Sequence, residues 1–311
     1  MRKMMQKSWP RILIDTAKAW NADNAFKHSA AVSFYTLFSM APITIIVAAI
    51  AAFFLGKEQA QEQLHNQITA LVGPASAELV SKAAEASQTD TRSTTAAITG
   101  VALLIVGATT VFAQLQDSLN SIWKVRTKPE KSGWLILIIQ RLISFAMVLT
   151  VGFLLLVSLI LTTALSFTLK KFSNTILGAP WVLNVADALG SLVVITALFA
   201  LMFKVLPDVK LHWKEVVVGA GATSVLFTIG RYLIAFYLSH STVASIYGTA
   251  GSLVALLVWV YYSCSIMFFG AEFIRIYIEA KGRPVEPKET AVRVKEEFIE
   301  DHPEHEIRKR A

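Results

Sequence analysis

A single cysteine, Cys264, stands in 311 residues. It cannot form an intramolecular disulfide, and its place inside an apolar run makes thiol chemistry a poor reading. Charge is also scarce: 16% of the residues are Asp, Glu, Lys or Arg, against 54% that are hydrophobic. Soluble proteins average about 25% and about 45–50%, so an ordinary water-soluble enzyme is disfavoured. Long apolar runs must be buried in something, which excludes intrinsic disorder. A phosphate-cradling GxxxxGKS/T loop is absent, and with it ATP coupling within the chain. Residues 1–27 offer no apolar core ahead of a small-residue cleavage site, so no leader is expected to be removed.

What the chain has instead is oil in long stretches. A spanning helix needs about 20 mostly apolar residues, and six stretches qualify: 30–55, 96–113, 134–168, 181–203, 216–238 and 249–274. The third would measure about 50 Å as one helix, so its first turns, up to about Arg141, are expected in the interface. Basic residues alternate between the connections. The N-terminal 29 residues, 114–133, 204–215 and the tail from Arg275 hold twenty-two Lys and Arg, and the other three connections hold five. Because cytoplasmic loops carry the positive excess, both termini are expected in the cytoplasm. The predicted fold class is all-α: a polytopic membrane protein with a bundle of six transmembrane helices. Its parts are a cytoplasmic N-terminus (1–29), a membrane domain (30–274) and a charged cytoplasmic tail (275–311). The net charge of +7 is read as topology and contact with anionic lipid rather than nucleic-acid binding, because no aromatic or Arg/Gly recognition segment accompanies it.

Outside the spans, residues 9–28 predict an amphipathic helix lying flat on the cytoplasmic surface, with Ile12, Leu13, Ala17 and Trp20 on its apolar side. The periplasmic loop 57–95 predicts two short amphipathic helices broken at Gly73-Pro74. The tail from about Gly282 is expected to be mobile, with one helix at 288–300.

Ionisable residues inside spans are costly and count as functional candidates. Asp187 and Arg231 fall at matched depth, about 9 to 11 Å from one boundary, in consecutive antiparallel spans; they are expected to pair. Such a pair can be a structural pin or the wall of a cavity for an anion. Arg141 and Glu272 lie nearer the cytoplasmic boundary, where Arg141 can snorkel and Glu272 can pair with Arg275 at i+3. Pro42 frees a backbone carbonyl in the first span, with Tyr35 and Ser39 near the same face, which makes that span a candidate bent, cavity-lining helix. The small residues Gly219 to Ala222 read first as a close-packing face.

Three segments then carry a resemblance. They are Ala30-Ala31-x-x-Phe34-Tyr35-Thr36-Leu37-Phe38-Ser39-x-Ala41-Pro42, Leu119-Asn120-Ser121-Ile122-Trp123-Lys124-Val125, and Tyr247-Gly248-Thr249-Ala250-Gly251-Ser252 running on to Trp259, Tyr261 and Gly270-Ala271-Glu272. Together they resemble the YihY/BrkB family of bacterial inner-membrane proteins over roughly residues 20–280. That resemblance implies about six transmembrane helices in a bacterial cytoplasmic membrane. It brings no catalytic residue set, although family members have carried ribonuclease BN and virulence-factor labels, and links to envelope lipid export have been suggested.

A membrane-tethered ribonuclease would need clustered carboxylates or histidines around divalent metal. Asp15, Asp23, Asp117, Glu130, Asp208 and Glu215 are scattered, and His28, His65, His212 and His240 form no zinc pattern. No metal, cofactor or enzyme activity is expected. The leading expectation is a transporter or flippase-like handler of an anionic lipid or other envelope component, with Arg231 meeting the anion and Asp187 holding that arginine when the site is empty. Its partners would be membrane lipids. The alternative is a scaffold whose tail and outer loop bind partners.

Overall fold

The computed structural model describes residues 9–55, 94–128, 180–240 and 251–295, with isolated positions between 142 and 153. Six helices are present among them: α1 (Trp9–Ala22), α2 (Ala25–Leu55), α3 (Thr94–Ile122), α4 (Pro180–Val205), α5 (Trp213–His240) and α6 (Gly251–Ala280). Three stretches within them are long and apolar enough to cross a membrane: Ala188–Val205, Trp213–Tyr237 and Leu253–Ala280. The expected third span, 134–168, and the outer-loop helices of 57–95 lie outside the described residues, apart from those isolated helical positions and the start of α3.

The architecture is not purely α. Four short strands make two antiparallel sheets: β1 (Val125–Thr127) pairs with β4 (Ala291–Arg293), and β2 (Val209–Lys210) with β3 (Glu286–Pro287). This corrects the expected tail helix at 288–300, because residues 286–287 and 291–293 are extended. The cause is local. α6 ends at Ala280, and Gly282 just beyond it takes φ 72°, donates to Glu279 O at 2.9 Å and lets Arg283 N–H reach back to Ile278 O. This is the reciprocal capping geometry that a glycine past a helix end permits. Pro284 and Pro287 then supply no N–H for a new helix, and the segment finds its backbone partners in the α3 and α4 exits. Both sheets lie at one end of the bundle, called here the sheet end.

α6 is the central helix. It packs against α1, α2 and α5; α3 flanks α2, and α4 flanks α5. α5 and α6 approach through small residues. A side chain at Gly219 would run into Ile274, one at Gly270 into Thr223, and one at Gly230 into Ile266 and Tyr262. Close backbone approach of this kind is how helices associate where lipid tails offer no hydrophobic drive. The largest fully buried side chains, Trp123, Phe203, Phe268, Leu119 and Ile122, cluster toward the sheet end. α3 closes onto the α4–α5 connection there, because Asn120 accepts the Asp208 N–H at 2.8 Å and donates to its carboxylate at 2.9 Å. This closure explains why α3 runs to Ile122, nine residues beyond the expected span end at 113: its polar Gln116 and Asn120 are buried against Asp208 rather than facing water.

α1 is docked on α6. Trp9 stacks on Phe273 and Tyr277, the Trp20 indole donates to Ser265 O at 3.1 Å, and Asp23 just past the helix pairs with Arg275, so both ends of α1 meet α6 near its sheet end. Its buried side is Ile12 and Thr16, with Ala19 against the same cluster, whereas Leu13 is exposed.

Candidate functional site

Arg231 lies on the face of α5 that meets α4. Ala220, Ser224 and Phe227 precede it on that face at helical spacing, with Ser224 Oγ 2.7 Å from Thr196 Oγ1 and Phe227 edge-on to Phe199. Counting nine residues outward from that contact, in an antiparallel pair, brings position 187 of α4 level with 233 of α5. Asp187 is therefore placed within a turn of Arg231 in height. The Asp187 side chain lies outside the described set. The Arg231 guanidinium donates to Tyr232 Oη at 3.2 Å and sits 5.0 Å from its ring centre; among the described residues it meets no carboxylate.

The remaining candidates are distributed elsewhere. Tyr35 and Ser39 are on α2, where Ser39 is buried and donates to Gly107 O of α3 at 2.6 Å, and Tyr35 is exposed against Phe34. Pro42 lies within α2 with its side chain outside the described set, and Arg141 lies outside the described residues. Since α6 stands between α2 and α5, the structure does not bring Tyr35 and Ser39 to Arg231.

Glu272 forms a different site at the sheet end. Arg275 Nε donates to Glu272 Oε2 at 2.9 Å, as the i+3 spacing predicts, and its Nη2 donates to Asp23 Oδ2 at 2.9 Å. Lys124 Nζ donates to Asp23 Oδ1 at 2.5 Å. Asp23 and Lys124 were not foreseen, because nothing in a one-dimensional pattern links residues 252 positions apart. Both stand at helix exits: Asn24, beside Asp23, and Lys124 itself have φ of 54° and 52°. Asn tolerates that left-handed conformation; a lysine there is uncommon. The cluster holds two acids and two bases around a buried centre, and Glu272 Oε1 has no partner among the described residues. Nearby, burial and then the Lys27 charge push His28 below its ordinary pKa of 6.5, against the opposing pull of Asp23.

Two cavities flank these charges. A polar one of about 380 Å³ is bordered by Asp117, Asn120, Lys124 and Arg126. An apolar one of about 480 Å³ opens between α1, α5 and α6, bordered by Leu13, Gly221, Ala222, Leu226, Phe269 and Phe273. The sequence signal for the second was the run Gly219 to Ala222, read there as packing. Gly219 does pack, but a side chain at Gly221 would meet nothing within 4 Å.

Comparison with known proteins supplies the lineage. The family model described as virulence factor BrkB matches residues 16–294. The chain belongs to the BrkB family. Relatives of this BrkB chain include the UPF0761 membrane proteins of Stenotrophomonas maltophilia and Nitrosospira multiformis. The first is 24% identical over 85% of this chain and 60% of that protein. The second is 28% identical over 80% and 56%. The chain thus spans somewhat more than half the length of these relatives. No solved structure matches it. The segments that carried the resemblance to the BrkB family coincide with the joints of the fold: Asn120 clamps Asp208, Lys124 meets Asp23, and Glu272 meets Arg275.

Proposed function

We propose that this BrkB-family membrane protein moves or handles an anionic lipid, or another lipid-linked envelope component, in a bacterial inner membrane, with the sheet end in the cytoplasm. The observation that carries the reading is Arg231. It is a guanidinium inside a stretch long and apolar enough to cross a membrane, and its partner among the described residues is a tyrosine; an intramembrane cation calls for an anion. Asp187, at matched height, would hold that arginine when the site is empty. The basic excess in the connections at the sheet end supports the orientation.

This reading is non-enzymatic. Asp23 and Glu272 come together, but Arg275 and Lys124 neutralise them, so the cluster offers no open carboxylate pair to a divalent ion.

The test is lipid movement in liposomes holding the full chain, followed with a fluorescent phosphatidylglycerol. Wild type is expected to exceed protein-free vesicles, and Arg231→Ala to fall about ten-fold at equal incorporation, the loss expected from one charged contact. Equal rates for wild type, Arg231→Ala and empty vesicles would remove the proposal. A scaffold would instead lose partner binding when residues 296–311 are deleted and be indifferent to Arg231.

A further inference from the structure

Glycine inside a helix weakens it unless close contact requires the missing side chain. Gly219 and Gly270 have that reason in α5–α6 packing, and Gly221 does not. Instead Gly221, with Ala222 and Gly270, borders the apolar cavity of about 480 Å³ between α1, α5 and α6. Val225, Leu226 and Ile229 along its α5 wall are exposed, while Phe273 on its α6 wall is buried against α1. α5 and α6 contain stretches long and apolar enough to cross a membrane, and in a bilayer the solvent along this flank is hydrocarbon. An apolar gap there leaves its lining short of dispersion partners until a chain fills it.

Two stripes lead from the cavity to the sheet end, and each ends in a lysine. On α5 the stripe is Lys214, Val218, Gly221 and Val225, at four- and three-residue steps; on α6 it is Phe269, Phe273, Tyr277 and Lys281, at four-residue steps. Lys214 and Lys281 are both exposed. The Lys281 ammonium lies 4.1 Å from the Tyr277 ring centre, and Trp9 of α1 stacks on Tyr277 and Phe273. This aromatic and basic rim has the composition of a membrane interface. Nearby acids are already engaged, Glu215 by Arg283 and Glu279 by Arg275. From Phe269 to Lys281 the helix rises about 18 Å, slightly more than the roughly 15 Å of one hydrocarbon leaflet.

We infer that this trough holds an acyl chain of an anionic phospholipid from the leaflet at the sheet end, with its phosphate between Lys214 and Lys281. The site requires only that the chain lie in a bilayer, so it stands or falls separately from lipid transport and from Arg231.

The test is native mass spectrometry of the full-length protein, released gently from vesicles of equal phosphatidylglycerol and phosphatidylcholine. Wild type is expected to retain phosphatidylglycerol in preference. Gly221→Leu, which fills the open floor, should lower retention at least ten-fold, roughly what blocking two or more methylenes implies, with the unfolding temperature preserved. Lys214→Gln and Lys281→Gln should each reduce the preference for phosphatidylglycerol about five-fold while phosphatidylcholine retention persists. Undiminished lipid on Gly221→Leu, or no preference in wild type, would overturn the assignment. So would conversion of a dimer to monomer by Gly221→Leu with lipid unchanged, which would give the trough to a second copy of the chain.

Discussion

Adding one methyl group at Gly270 and one at Gly221 should have opposite effects on stability. A Cβ at Gly270 would lie 2.9 Å from both Cβ and Cγ2 of Thr223 and closer still to Oγ1, whereas carbon pairs rest at about 3.5–4.0 Å. Thr223 has little freedom to turn aside, because its hydroxyl donates to Gly219 O at 2.7 Å, and Gly219 is itself pressed against Ile274. α5 and α6 must therefore part. Overpacking of this kind costs about 1–3 kcal/mol, and the better helix propensity of alanine returns about 0.5–1 kcal/mol, leaving roughly 1–2 kcal/mol of destabilisation. Gly221→Ala meets no atom and should gain the propensity term alone. Because both variants gain the propensity term, they should differ by the overpacking cost alone, about 1–3 kcal/mol, or roughly 2–12 °C in Tm at about 2–4 °C per kcal/mol. The assay is thermal unfolding of the purified proteins in one detergent, read by tryptophan fluorescence. Adding Thr223→Ala to Gly270→Ala should recover part of the loss. The reasoning fails if Gly270→Ala is as stable as wild type, or if Gly221→Ala is less stable.

Arg275→Met should cost about 3–5 kcal/mol, because it strands buried Glu272 and leaves Asp23 with Lys124 alone. The triple variant Asp23→Asn, Glu272→Gln, Arg275→Met should recover most of this in the same unfolding assay, and no recovery would refute the charge-cluster account. Asn120→Ala removes two of the hydrogen bonds that hold Asp208. It should cost about 1–3 kcal/mol and raise hydrogen exchange in residues 206–210, which a mass-resolved exchange experiment would detect. His28 is held below its ordinary pKa of 6.5, so the unfolded chain takes up its proton first. Stability should be full above pH 6.5 and fall as pH drops from there to the folded-state value. His28→Gln should flatten that part of the pH profile; an unchanged slope would show that other groups set it.

Long apolar elements were legible because their signal is additive along the chain. α2, α4, α5 and α6 overlap the stretches read as 30–55, 181–203, 216–238 and 249–274, and hydropathy needs no partner to be visible. α3 was read short because Gln116 and Asn120 look solvated until Asp208 is placed beside them. The tail was read as a mobile segment with a helix because charge alternation alone cannot reveal that residues 125–127 and 209–210 offer unpaired backbone to it.

The candidate site divides in the same way. Arg231 and Asp187 could be named from the rarity of charge in apolar runs, and the Glu272–Arg275 contact from helical spacing. The additions of Asp23 and Lys124 came from three helix exits meeting at one end of the bundle. The difference between Gly219 and Gly221 came from which face of α5 meets α6. The sequence alone determined that the chain enters a bilayer as helices, because both depend on composition and on periodicity within a single segment. Which charges neutralise each other, where the tail binds and which glycine leaves a void are relations between segments, and only the tertiary packing decided them.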